Sequence, residues 1–234
     1  MAEHPFLCAL CLPDNIPPVT CCQCQGIESE FNHRLAQREL RRYRRRGPVR
    51  STRLLLEVLK PALTPNSTLL DIGGGVGAIH HELLDAGAVS AVHVDASSSY
   101  LDAAREESTR RHHLEAVEFV QGDFVTLAPE LAPVEIVTLD RVICCYPDMP
   151  ALVAAAADKA QRVFGAVYPP NTWWMRITVR CLNWFLGLRQ SNFRVFVHPT
   201  DAIEAVLREH GLVRATHKRT LVWEIATFTR SRPV

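Results

Sequence analysis

Three short stretches concentrate groups that can bind or react. The first, LLDIGGGVGAI at 69–79, runs an apolar segment into Gly73, Gly75 and Gly77. Alternate glycines let a chain turn sharply and bring its N–H groups close to a ligand with no Cβ in the way. Gly73, Gly75 and Ala78 also satisfy G-x-G-x-x-A, so the loop by itself leaves open which nucleotide it would hold. The second feature is a set of acids closing apolar runs: Asp71, then Asp95 in AVHVD, then Asp123 in VQGDF. Asp95 stands where an acid can accept both hydroxyls of a ribose. Singly, each acid would serve equally as a helix cap or a turn residue. Three of them at successive strand ends describe one crevice. The third stretch is DRVICCYP at 140–147, in which two thiols and a phenol follow Asp140. Cys145 and Tyr146 are expected to line a pocket for a second reactant, with Cys144 turned into the core, where free cysteine is common. His198, just before Pro199 and a helix, could exchange a proton at the pocket mouth or merely cap that helix. His80 and His81 follow the glycine loop and are assigned no catalytic role.

Such groups converge only on a scaffold that ends several strands at one edge. STLLDI, AVHVDA, VEFVQGD, VEIVTLD and VFGAVYPP read as short buried strands, and stretches between them such as SYLDAAREESTRRHH read as helices. The alternation predicts an α/β domain whose mainly parallel sheet is covered on both faces. After Pro170, NTWWMRITVRCLNWFLGL reads as an amphipathic helical insertion at about 171–190. TDAIEAVLREHGL reads as a helix stopped by Gly211, and LVRATHK with TLVWEIATFTR as two antiparallel strands. Trp173 and Trp174 open the insertion. They would form a lid or pocket wall, belong to a shallow membrane-surface helix with Arg176 and Arg180, or pack on the sheet; packing is the expectation.

The chain has 234 residues, 47% of them hydrophobic, and a formal net charge of +1. That balance suits one globular domain and gives no general pull toward nucleic acid. Composition divides it into a Cys- and Pro-rich head at 1–27, Arg-rich cap helices at 28–60 and a main domain at 61–234. In the head, FLCALCL follows Glu3 and His4 without a basic flank and reads as neither leader nor anchor. The eight cysteines are then expected to be reduced thiols in a cytoplasmic protein. Cys8-x2-Cys11-x9-Cys21-x2-Cys24 has paired spacing compatible with structural zinc, although a reduced, disordered tail is preferred. Between Arg34 and Arg53 stand nine arginines and one acid, Glu39. Leu35, Ala36, Leu40 and Tyr43 recur there at helical spacing, so one side can pack while arginines fan outward. RNA remains an alternative partner for that charge.

With these motifs in place, the chain resembles the class I S-adenosylmethionine-dependent methyltransferases over roughly Ser51 to Tyr168. The likeness rests on DIGGGVG at 71–77, VDAS at 94–97, GDF at 122–124 and LDRV at 139–142. It implies a Rossmann-like, seven-stranded sheet with an antiparallel last strand and S-adenosylmethionine as methyl donor. By the same resemblance Asp71 and the glycines hold the methionine part, and Asp95, with Ala96 beside it, the ribose. Asp123 takes the adenine amino group, Phe124 flanks the ring and Asp140 lies near the methyl. An N-terminal helix caps the donor in resembling families, which would set Tyr43 over the sulfonium. Asp123 has no comparable task in a nicotinamide enzyme, which disfavours that class; a donor-binding module without turnover stays open.

Within the superfamily the layout is most similar to magnesium-protoporphyrin O-methyltransferases: a basic and aromatic N-terminal helix, a strand ending in Leu-Asp, a Tyr-Pro dipeptide, and FRVFVHPTDAIEAVL late in the chain. That family places a catalytic His just before Tyr-Pro, where this sequence has Cys145. A thiolate there would act as base or position a soft atom. The favoured acceptor is accordingly a small thiol or hydrosulfide. Alternatives are O-methylation of a carboxylate or phenol, RNA methylation, and methylation of a metalloid captured by Cys21, Cys22 and Cys24.

Overall fold

The computed structural model describes residues 22–230. Two helices lead, α1 (Cys22–Glu30) and α2 (His33–Arg46), and a third, α3 (Arg50–Leu59), follows. Asn32 caps α2 by accepting the Leu35 N–H, and Gly47, at φ 69°, ends it. The arginine run is therefore broken in two where a left-handed glycine precedes Pro48. On α2 the buried residues are Ala36, Leu40 and Tyr43, a stripe at i, i+4 and i+7 that packs on the domain.

The sheet is built from β1 (Thr68–Ile72), β2 (Ser90–Asp95), β3 (Val117–Gln121), β4 (Val134–Asp140) and β5 (Ala160–Tyr168). Helices α4 (Ala78–Leu84), α5 (Ser98–Arg111), the short α6 (Phe124–Leu127) and α7 (Met149–Lys159) alternate with them. Then come α8 (Trp173–Leu188), α9 (Thr200–Glu209), β6 (Leu212–Arg219) and β7 (Glu224–Arg230). The seven strands lie in the order β3-β2-β1-β4-β5-β7-β6. β1 to β5 run parallel, and β7 is antiparallel to both of its neighbours. This is the expected Rossmann-like sheet, and its order reverses between β1 and β4, the switch point where such sheets bind ligands. No helix among the described residues is long and apolar enough to cross a membrane.

Side chains alternate across the pleat and fill a core on each face. Leu70 and Ile72 join Val137, Leu139 and Phe164 under α7 and α9. Leu69 joins Leu55, Leu59, Ile136 and Leu83 under α3 and α4. Asp71, two residues beyond Leu69, belongs by register to that second face. Its partners across the strands are His93 and Thr138, so a polar row crosses three adjacent strands beneath α4.

Candidate active site

A cavity opens at the switch point, lined by Gly73, Gly75, Asp95, Ala96, Asp123 and Phe124 from the tips of the first three strands. Asp140, Arg141, Cys145 and Tyr146 follow from β4, while α1, the link after it and α2 contribute Ile27, Phe31 and Glu39. Gly73 and Gly75 have φ of 60° and 58°. A Cβ on Gly73 would stand 2.5 Å from Val142 Cγ2, so only glycine lets the loop pass the turn after β4.

Asp95 lies between the glycine loop and the turn after β2. Its Oδ2 accepts the Gly75 N–H at 3.0 Å and its Oδ1 the Ser97 N–H at 2.9 Å. Burial pushes its pKa up to about 6 against these bonds. Each carboxylate oxygen keeps a further lone pair toward the cavity for a hydroxyl. Asp123 caps α6 through the Val125 N–H, and the Tyr146 hydroxyl donates to its two oxygens at 3.0 and 3.1 Å. Phe124 is buried beside it. Apolar Ile72, Val94 and Leu152 complete a wall suited to a planar base.

Four expected site residues stand elsewhere. Asp71 is 1% exposed and does not line the cavity. The pleat turns it under the glycine loop, where Thr138 Oγ1 donates to it at 2.8 Å and His80 Nδ1 lies 3.2 Å away. Gly77 serves as N-cap of α4 at φ 81°, and a Cβ there would meet His80 Cε1 at 2.5 Å. Tyr43 is buried with Leu40, Val76 and Tyr100, its hydroxyl 3.2 Å from Glu82 and Arg111 over its ring. The cation it meets is thus the protein's own. His198 lies outside the lining and approaches the Tyr146 carbonyl with Nε2 at 3.0 Å. It braces the turn carrying Cys145 and Tyr146, assisted by the Phe196 N–H bonded to the Cys144 carbonyl at 2.7 Å.

The acceptor side differs from expectation mainly in its charge. Cys145 lines the cavity and Cys144 is buried, as the sequence suggested, with their sulfurs 3.8 Å apart. The hydrogen bond to Cys144 and burial push the Cys145 thiol's pKa upward. That direction works against the thiolate expected there. Two charged groups of the lining, Arg141 and Glu39, escaped the sequence reading. Arg141 has φ 64°, a conformation L residues rarely adopt, and its N–H is tied to Val167 O at 2.9 Å. Burial works against its charge, yet Asp140 and Glu39 hold its pKa above the usual guanidinium value. Asp140, raised by burial, takes the Thr52 hydroxyl at 2.5 Å and Arg141 Nε at 3.3 Å. Glu39 also acts on Tyr100, whose pKa burial and the Glu39 charge lift far above the phenol value. The available signals were Glu39 as the lone acid among nine arginines and Arg141 directly after the acid of LDRV.

The cap is fixed in place. Ser97 Oγ donates to the Phe31 carbonyl at 2.7 Å, and the Ser98 N–H to Glu28 at 2.9 Å. Gly26 crosses the backbone of Phe193 so closely that a Cβ would stand 2.5 Å from its nitrogen.

A methyltransferase-domain family model matches residues 69–163, the span holding the glycine loop and the acids of this cavity. Residues 69–163 therefore carry a methyltransferase domain. Magnesium protoporphyrin IX methyltransferase from Synechocystis PCC 6803, solved with S-adenosylmethionine bound, is 18% identical to the chain. That likeness covers 89% of this chain and 97% of the other, with a TM-score of 0.66. An O-methyltransferase family protein from Burkholderia thailandensis is 17% identical over 88% of this chain and 63% of its own, with a TM-score of 0.65. At such identities these likenesses establish the fold. No curated protein matches the chain's sequence. The expected zinc pattern and metalloid-binding cysteines fall outside the described side chains.

Proposed function

We propose that this methyltransferase methylates the sulfur of a small thiol or hydrosulfide, held as its anion between Arg141 and Cys145. The reading rests chiefly on a half-buried guanidinium on the same cavity wall as a thiol whose pKa is raised, in the position that the resembling porphyrin enzymes give to histidine. Donor-side roles follow from the fit of the cavity. Asp95 would receive the ribose hydroxyls, Gly73 and Gly75 the methionine end, and Asp123 with Phe124 the adenine. S-adenosylmethionine supplies an electrophilic methyl together with its leaving group.

The protein's task is then alignment and management of charge. Arg141 lowers the cost of bringing a sulfur anion out of water. Cys145 can donate a weak S–H hydrogen bond to it. Phe31 and Ile27 close the roof against water, and Glu39 is the carboxylate there that can receive a proton from a neutral acceptor. A thiol ionises close to neutrality and needs little more help than this. Arg141 would also suit a carboxylate acceptor through paired N–H bonds, which makes O-methylation the second reading.

Turnover of the purified full chain over hydrosulfide, small thiols, phenols and carboxylates tests the proposal. Thiols are expected to dominate, and methylation of oxygen acceptors alone would refute it. Cys145→Ser should slow turnover while leaving donor affinity unchanged by calorimetry.

A further inference from the structure

The helix that leaves β5 is amphipathic in an unusual sense, because its larger apolar face points away from the protein. Of α8 only Met175 and Leu186 are buried, so the expectation that the segment packs as a whole on the sheet is corrected. Trp173 is 74% exposed, Trp184 69% and Leu188 62%, with Ile177 and Phe185 also exposed. At 3.6 residues per turn these five fall within an arc of about 120°, opposite the buried pair. Arg176 and Arg180 flank the arc on one side and Arg189 on the other. The helix contains no acid, and Arg180 forms no ion pair among the described residues.

A second apolar projection stands at the same edge. The β6–β7 hairpin exposes Leu221 at 79% and Val222 at 41%. Its flanking Arg219 and Glu224 share a cleft with Thr172, which immediately precedes α8. This is the carboxyl end of β5, the end of the sheet at which the active-site cavity opens.

We propose that α8 lies in the headgroup layer of a bilayer containing anionic phospholipids, with its two tryptophans and Leu188 inserted and its arginines on the phosphates. Charge selects this occupant. A second copy packed isologously on the stripe would bring like-charged arginines together with no acid on the helix to pair them, whereas lipid phosphates neutralise them. Length agrees, since sixteen residues reach about 24 Å, short of the ~30 Å hydrocarbon core. A helix with aromatic and aliphatic groups on one face and arginines on its flanks is the kind that rests in the interface. The inference is independent of the acceptor's identity, and it would deliver the cavity mouth to molecules dissolved in or released from the lipid.

Co-sedimentation of the full chain with vesicles of phosphatidylcholine, alone or with phosphatidylserine, tests it. Binding to the anionic vesicles should exceed that to neutral ones roughly tenfold or more, and should fall with added salt. Trp173→Glu with Trp184→Glu should abolish binding while donor affinity stays unchanged. Arg176→Gln with Arg180→Gln should erase the preference for anionic lipid and leaves the apolar stripe intact should the first variant fail to fold. Absence of binding to either vesicle would overturn the proposal, as would binding indifferent to these substitutions. So would a stable dimer that the tryptophan variant dissolves and that ignores vesicles, because the stripe would then face a second copy.

Discussion

Asp71 and Asp95 are the same residue type, close to the ends of neighbouring parallel strands, yet they do opposite work. Asp95 is the last residue of β2 and faces the cavity; its bonds to Gly75 and Ser97 leave lone pairs for a ligand. Asp71 is one residue short of the end of β1, and the pleat directs it down to His80, His93 and Thr138. A single step along a strand separates an acid that lines the cavity from one packed beneath the loop. The glycine loop is held from both sides, by Asp95 above and, through His80 and His93, by the packed row below, where a Cβ on Gly74 would lie 2.7 Å from Asp71 Oδ2 and His93 Nδ1.

The largest effect should come from the row beneath the loop. Asp71→Ala removes the better acceptor of the Thr138 hydroxyl and the anion beside His80 in a region closed to water. Only their contacts to Leu70 O and His93 remain, at a cost of about 3 kcal/mol of folding stability. Urea unfolding measures it. If stability were unchanged and donor affinity alone fell, the two acids would not differ in the way described.

Asp95→Ala should reverse that pattern. Loss of hydrogen bonds to a charged group is expected to weaken donor binding by about 1.5–3 kcal/mol in calorimetry, while folding stability changes less than in Asp71→Ala. Unchanged affinity would remove Asp95 from the ribose and leave it only the loop to hold.

The contrast also marks what the residues alone could reveal. Glycines, strand-end acids and alternating apolar runs are local signals, and they led to the sheet, the crevice at its strand ends, and the places of Asp95, Asp123, Phe124 and Cys145 on its lining. The direction in which Asp71 points depends on which face of β1 meets α4, a matter of pleat phase that the motif does not encode. Tyr43 was placed by analogy with a cap, and the actual cap reaches the cavity with Glu39, one helical turn earlier, because the ring of Tyr43 has a packed site between Leu40 and Arg111. His198 illustrates a third limit. Its position before a helix was readable, but the Tyr146 carbonyl it meets is 52 residues away in the chain.

The subtlest test uses protons. Burial holds His81 below the ordinary imidazole value and lowers His93 from 6.5 to about 3. As pH falls below 6.5 the unfolded chain takes up protons that the folded row refuses, so stability declines with acidification. Asp95 has the opposite sign. Raised from 3.8 to about 6, it gains its proton in the folded state first, which offsets part of the decline between those two values. Asp95→Asn removes that offset and leaves the histidines unopposed. Between pH 6 and 4 the variant should therefore lose stability more steeply than the parent, by up to about 1.4 kcal/mol per pH unit. Urea unfolding at pH 7, 6, 5 and 4 would read the difference in slope. Parallel curves would mean that Asp95 titrates like a solvated carboxylate, and the site above the loop would then be more open to water than its burial indicates.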